Sequence, residues 1–136
     1  MLLLTVFLSY ILLTAGLFTG CALIQEEQVK LRDLDFTVLA EEAIPKELYG
    51  IIKERYEEPF KLTYSDTDAL YIVIGYGRKQ TGGYSIAVEE LYLTEDAVYV
   101  STTLIGPDDT QKKEETASCP YIVIKTELLD KTVIFQ

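Results

Sequence analysis

Apolar and polar positions change rhythm along this chain, and each rhythm implies an element. Residues 1–24 read MLLLTVFLSYILLTAGLFTGCALI, apolar apart from a few Thr, Ser and Gly. A helix rises 1.5 Å per residue, so about 20 apolar residues cross a hydrocarbon core of roughly 30 Å. This stretch is expected to enter a membrane. Leu34, Phe36 and Val38 then alternate with Asp35 and Thr37, the period of a half-buried strand. Residues 40–43 break that alternation. Ile44, Leu48, Ile51, Ile52 and Tyr56 recur at helical spacing. Pro45 suits a first helical position, Glu47 suits the positive end of the helix dipole, and Pro59 ends helical continuation. The spacing predicts a helix over 45–57. Gly50 inside it costs about 1 kcal/mol relative to Ala, and close packing on a sheet is the expected reason.

The remainder reads as strands. Residues 60–64 are short and end in the turn cluster Ser65-Asp66-Thr67-Asp68. Residues 69–76, ALYIVIGY, are apolar without a break, as in a strand covered on both faces. Tyr84, Ile86 and Val88 share one parity, whereas Leu91 and Leu93 share the other. That change of phase predicts a bulge at Glu89-Glu90. Val98, Val100, Thr102 and Leu104 alternate cleanly after a Thr94-Glu95-Asp96 turn. Residues 106–118, GPDDTQKKEETAS, read as a long exposed loop, and 121–125 and 132–135 as two final strands. One early helix followed by strands in meander order predicts an α+β fold. Its expected form is an antiparallel sheet of six or seven strands with one helix packed on a face.

Composition narrows the chemistry. Among 136 residues there is no His and there are two Cys, so His-based nucleophile systems, His-ligated zinc and four-cysteine zinc sites are excluded. No metal and no cofactor are expected. With 12 Lys+Arg against 22 Asp+Glu, the net charge is −10, which argues against nucleic acid. Acidic neighbours recur at Glu41-Glu42, Glu57-Glu58, Glu89-Glu90, Asp108-Asp109 and Glu114-Glu115. Adjacent residues on a strand point to opposite faces, so such pairs are solvated charge rather than a glycosidase dyad. Asp66-x-Asp68 lacks the Gly and the distant Glu of a calcium loop. Ten Tyr without Trp fit strand packing, with a Tyr-lined glycan or small-molecule face as the alternative.

All 34 charged residues lie after position 25. The string Phe18-Thr19-Gly20-Cys21 resembles a bacterial lipobox, in which two small residues precede the Cys that is lipidated and becomes the new N-terminus. Phe18 stands where Leu is usual, and no Lys or Arg precedes the apolar run. An uncleaved anchor and an ordinary secretory signal are the other readings. All three place the remainder outside the cytoplasm. The expected organisation is a signal peptide over 1–20, a tether over 21–33 and a domain over 34–136. Lipidation of Cys21 would leave Cys119 as a lone, half-buried structural residue.

One string stands apart: Gly75-Tyr76-Gly77-Arg78-Lys79-Gln80-Thr81-Gly82-Gly83-Tyr84. It leads into a strand rather than a helix, so it is not a phosphate cradle. Gly82 and Gly83 are expected to be structural, one of them at positive φ, within a hairpin connection that leaves Arg78 and Lys79 exposed and puts Tyr84 on the next strand. The residues Gly77, Lys79, Thr81, Gly82, Gly83 and Tyr84 resemble the Gly-x-(Arg/Lys)-x-Thr-Gly-Gly-Tyr segment of the C-terminal domain of the protease complex subunit PrcB family. Gly106-Pro107 and the Pro120-Tyr121-Ile122-Val123-Ile124 strand follow in the same order, and the resemblance spans about 68–135. It implies a non-enzymatic bacterial lipoprotein that binds another protein, in the family's case a secreted subtilisin-like protease. It brings no catalytic residues. Arg78, Lys79, Thr81 and Tyr84 are the candidate partner-binding residues, and Cys21 the candidate lipidation site.

Overall fold

The computed structural model describes residues 29–108 and 115–136. The apolar stretch, the signal-peptide boundary and Cys21 lie outside the described residues. The elements are β1 (Lys30–Asp33), β2 (Phe36–Val38), a 3-10 turn (Glu41–Ala43), α1 (Lys46–Arg55), β3 (Pro59–Ser65), β4 (Ala69–Tyr76), β5 (Ser85–Thr94), β6 (Ala97–Ile105), β7 (Tyr121–Glu127) and β8 (Thr132–Phe135).

The strands form two sheets, in the orders β1-β5-β6-β8 and β2-β7-β4-β3, and not the single sheet expected from the meander pattern. The reason lies in β4. Its even positions Leu70, Ile72 and Ile74 join Ile122 and Ile124 of β7 against Leu91, Leu93, Val98 and Val100 of the other sheet. Its odd positions Ala69, Tyr71 and Val73, with Val123, pack under Ile44, Leu48 and Ile52. Three layers result, helix on sheet on sheet, and an apolar run on β4 is what two covered faces require. Each such side chain contributes about 1.5–3 kcal/mol on full burial. The pairing also departs from a pure meander, because β8 lies parallel to β6, with Ala97 opposite Thr132 and Val100 opposite Phe135.

The predicted bulge is present. On β5, Val88 pairs with Thr102 and Glu90 with Ser101, so Glu89 is the extra residue. The inserted residue restores phase, and Ile86 and Val88 pack on the same intersheet core as Leu91 and Leu93. Near the start of the described residues, Lys30–Asp33, the end of the stretch expected as tether, pairs with β5 as a strand. The run expected as one strand over 34–38 is divided. Leu34 is buried, and the chain crosses there from one sheet to the other. The Thr126 hydroxyl donates to the Asp35 carbonyl at the crossing, at 2.7 Å.

Pro45 stands one residue before α1 rather than at its first position, its carbonyl accepting the Tyr49 N–H at 2.9 Å, and Leu48 and Ile52 form the buried face of the helix. Gly50 does not pack on the sheet. A Cβ there would meet nothing within 4 Å. Without a contact to protect, Gly50→Ala is expected to stabilise the domain by about 1 kcal/mol through helix propensity. A melting temperature raised by roughly 4–8 °C in thermal denaturation checks this.

The β3–β4 turn is closed by one carboxylate. Asp66 Oδ1 accepts the backbone N–H groups of Asp68 and Ala69, both at 2.8 Å, and Oδ2 accepts the Tyr71 hydroxyl at 3.0 Å. Those donors satisfy the carboxylate, and the two backbone bonds in particular hold its pKa below the ordinary range. A carboxylate with a lowered folded pKa stabilises above its unfolded pKa, near 3.9, and loses that contribution as pH falls through the folded value. Asp66→Asn is therefore expected to melt below the parent at pH 7, with the gap closing as pH is lowered beneath about 4. Paired melts at pH 7, 4 and 2.5 read the convergence.

Candidate functional site

The connection from β4 to β5 carries the unusual string. It is not a hairpin, because β4 and β5 belong to different sheets and the chain must cross between them. Gly77 has φ +76° and Gly83 φ +86°. Positive φ at Gly83 is the expected turn geometry, and Gly82 does not share it. Positive φ at Gly77 was not anticipated. A Cβ on Gly77 would lie 2.8 Å from Pro59 Cδ and 3.0 Å from the Pro59 nitrogen. At Gly83 it would lie 3.0 Å from Pro107 Cβ, and at Gly75 it would enter the Phe60 ring. The glycines thus mark places where three connections touch.

Hydrogen bonds join the same three. The Arg78 N–H donates to the Glu57 carbonyl at 2.9 Å, in the α1–β3 link. Lys79 and Ser118 exchange backbone bonds of 2.7 and 3.0 Å, and the Ser118 hydroxyl donates to the Thr81 carbonyl at 2.7 Å. The Tyr76 N–H reaches the Pro120 carbonyl at 3.0 Å. Tyr84 stands one residue before β5 and not on it, close to Gly106. Residues far apart in sequence, Gly77 to Tyr84, Gly106-Pro107 and Ser118 to Pro120, therefore build one interlocked end of the sandwich.

Of the expected partner-binding side chains, Arg78 is exposed, while Lys79, Thr81 and Tyr84 are half-buried. Lys79 departs from its expectation because its backbone is held in the bridge to Ser118. Beside Arg78, Lys53, Glu54, Arg55, Tyr56, Glu57, Glu58 and Phe60 line a shallow open depression. Lys53 lies over the Tyr49 and Tyr56 rings, 5.1 and 4.7 Å from their centroids, and its hydrogen bond with Tyr49 pushes its pKa up. Burial pushes up the neighbouring Tyr121 hydroxyl. The end is a preorganised backbone framework that presents mixed charge and aromatic edges, which is material for recognition.

The other candidate chemistries do not gather. Tyr71 is buried under the helix, Tyr92 and Tyr99 stack on the outer face of the first sheet at 5.2 Å, and the Tyr76 hydroxyl bonds Thr102 at 2.6 Å. These rings are spread over separate faces, whereas Tyr49, Tyr56 and Tyr121 gather around Lys53. Glu127, held by Arg32 at 2.6 Å, and Asp66 both have lowered pKa values, the opposite of what a general acid needs. Among the described residues, no group of His, Cys, Asp or Glu is placed to hold a metal ion.

Sequence reasoning singled out Gly77, Gly82 and Gly83 but missed the positive φ of Gly77, and missed Pro59, Glu57 and Ser118 as parts of this end. A glycine directly after a buried strand was the available signal for Gly77. Nothing local marks Ser118, whose role arises only when the β6–β7 link folds back.

A family model described as PrcB C-terminal matches residues 70–127. No curated protein and no solved structure matches the chain. The matched span runs from the second residue of β4 to the last of β7, so it contains the β4–β5 and β6–β7 links of the interlocked end. Residues 70–127 are therefore similar to a PrcB C-terminal domain.

Proposed function

We propose that this chain is a non-enzymatic subunit that binds another protein, a secreted subtilisin-like protease, from a lipid anchor at Cys21 on the outer side of a bacterial membrane. The observation that carries the reading is the convergence just described. The residues that bear the family pattern touch one another at one end, and that end leaves Arg78 exposed on an otherwise acidic chain. The family is named for a protease complex, and the small-small-Cys ending of the apolar segment supports the anchor.

The test is capture of a purified subtilisin-like protease from the same organism by the lipidated chain, with Arg78→Glu and Lys79→Glu combined as the variant. Their backbones, not their side chains, hold the loop, so the double variant is expected to keep the parent melting temperature. Reversal of charge at a recognition rim slows encounter and weakens binding by about tenfold. Full capture by a stably folded double variant overturns this surface, and no capture by the parent overturns the protease reading.

A further inference from the structure

We infer that the anchored domain stands with the end at which the chain enters it facing the lipid surface, and presents the interlocked end to a protein partner arriving from the aqueous side. The inference rests on the proposed lipid anchor and deepens the reading of the recognition end.

Strand direction carries it. The chain enters β1 at Lys30, opposite Thr94, at the far end of β5. The interlocked loop joins β5 at the other end, where Ser85 pairs with Ile105. Ten residues of β5 separate the two, about 30 Å at roughly 3.3 Å per residue. In the second sheet the order agrees. Ala69 and Glu127 mark the entry end, and Gly75 and Tyr121 the interlocked end. Only seven residues, eight residue steps, separate Cys21 from Val29. At no more than about 3.6 Å per step they span at most roughly 29 Å, so the entry end stays within that distance of the lipid surface.

The distribution of exposed apolar side chains points the same way. Val29, Leu31, Phe36 and Leu128 all lie at or beside the entry end, with exposures of 73, 59, 42 and 48 %. Among the described residues, Val38 and Ile134 lie at mid-strand, and of the large exposed apolar side chains Ile105 alone lies at the interlocked end. Such side chains fit the headgroup boundary of a zwitterionic bilayer. Lys30 and Arg32 at this end are paired with Asp33 and Glu127, and its turns carry Asp68, Glu95, Asp96 and Asp130 against Lys131, an acidic balance that opposes close approach to anionic lipid within a Debye length of about 8 Å.

The experiment places a fluorescence donor on the full lipidated chain in phosphatidylcholine vesicles that contain an acceptor-headgroup lipid. Donors go on Asp96→Cys, in the β5–β6 turn, or on Gln80→Cys, in the interlocked loop, with Cys119→Ser removing the native thiol and Cys119→Ala as a second background. Transfer from position 96 is expected to exceed that from position 80 about twofold or more, given the roughly 30 Å between the ends. Equal transfer, or more from position 80, overturns the orientation. A chain that fails to partition with the vesicles overturns the anchor and the orientation together. Failure of the protease reading shows in capture alone and leaves the transfer ratio intact.

Discussion

Gly77→Val is expected to be the most damaging single substitution in the interlocked end. An L-residue at φ +76° is strained by about 1–2 kcal/mol, more when β-branched. Its Cβ would also press on the Pro59 ring and nitrogen, and crowding of this kind costs about 1–3 kcal/mol. Together the loss is roughly 2–5 kcal/mol from a total stability of about 5–15 kcal/mol. Thermal denaturation should show the midpoint falling by about eight degrees or more, at about 4–8 °C for each kcal/mol. The ring of Pro59 is part of the chain's own turn out of α1 and cannot swing aside. An unchanged melt would mean that the turn reorganises without cost and that Gly77 is not a structural requirement.

Ile72→Ala is expected to lower stability by about 3 kcal/mol, within the usual range for a buried Ile reduced to Ala. Ile72 is fully buried between the two sheets and lies opposite Thr63 on β3 and Ile124 on β7, so neither neighbour can collapse far into the space left. Ile105→Ala, at a side chain 49 % exposed, is the matching control and should stay within about 0.5 kcal/mol of the parent. Urea unfolding of the two variants measures the contrast. Similar midpoints would show that the intersheet core is less tightly filled than its burial implies.

These effects also show what the sequence could and could not convey. The unbroken apolar run of β4 announced two covered faces, and the change of parity at Glu89 announced the bulge, because both are local consequences of a two-residue period. The number of sheets was not legible. An alternating strand states that one face is buried but not which strand covers it, so β5 and β6 read equally well as neighbours of β4. The parallel seat of β8 was hidden for the same reason, since Val133 and Phe135 show which face is apolar and not the direction of the partner. The break at Leu34 was hidden by a good alternation that continued through the crossing. In the candidate site, the double glycine was visible, whereas its contacts with Pro59, Pro107 and Ser118 depend on links that lie far away in the chain.

The edge strand β2 has a consequence for how the chain acquires its structure. Its partner is β7, where Phe36 pairs with Thr126, 90 residues later. β7 also supplies one of the two neighbours of β4. As the chain emerges N-terminus first, β3 and β4 can pair early, but β4 keeps one bare apolar edge until β7 arrives. Closing so long a loop before any contact rewards it makes folding slow, and an open edge of that kind invites pairing with another chain. The vulnerable interval is the time between the appearance of β4 and that of β7. A holding partner, or simple dilution, matters most then, and a chain truncated before Tyr121 should aggregate rather than fold.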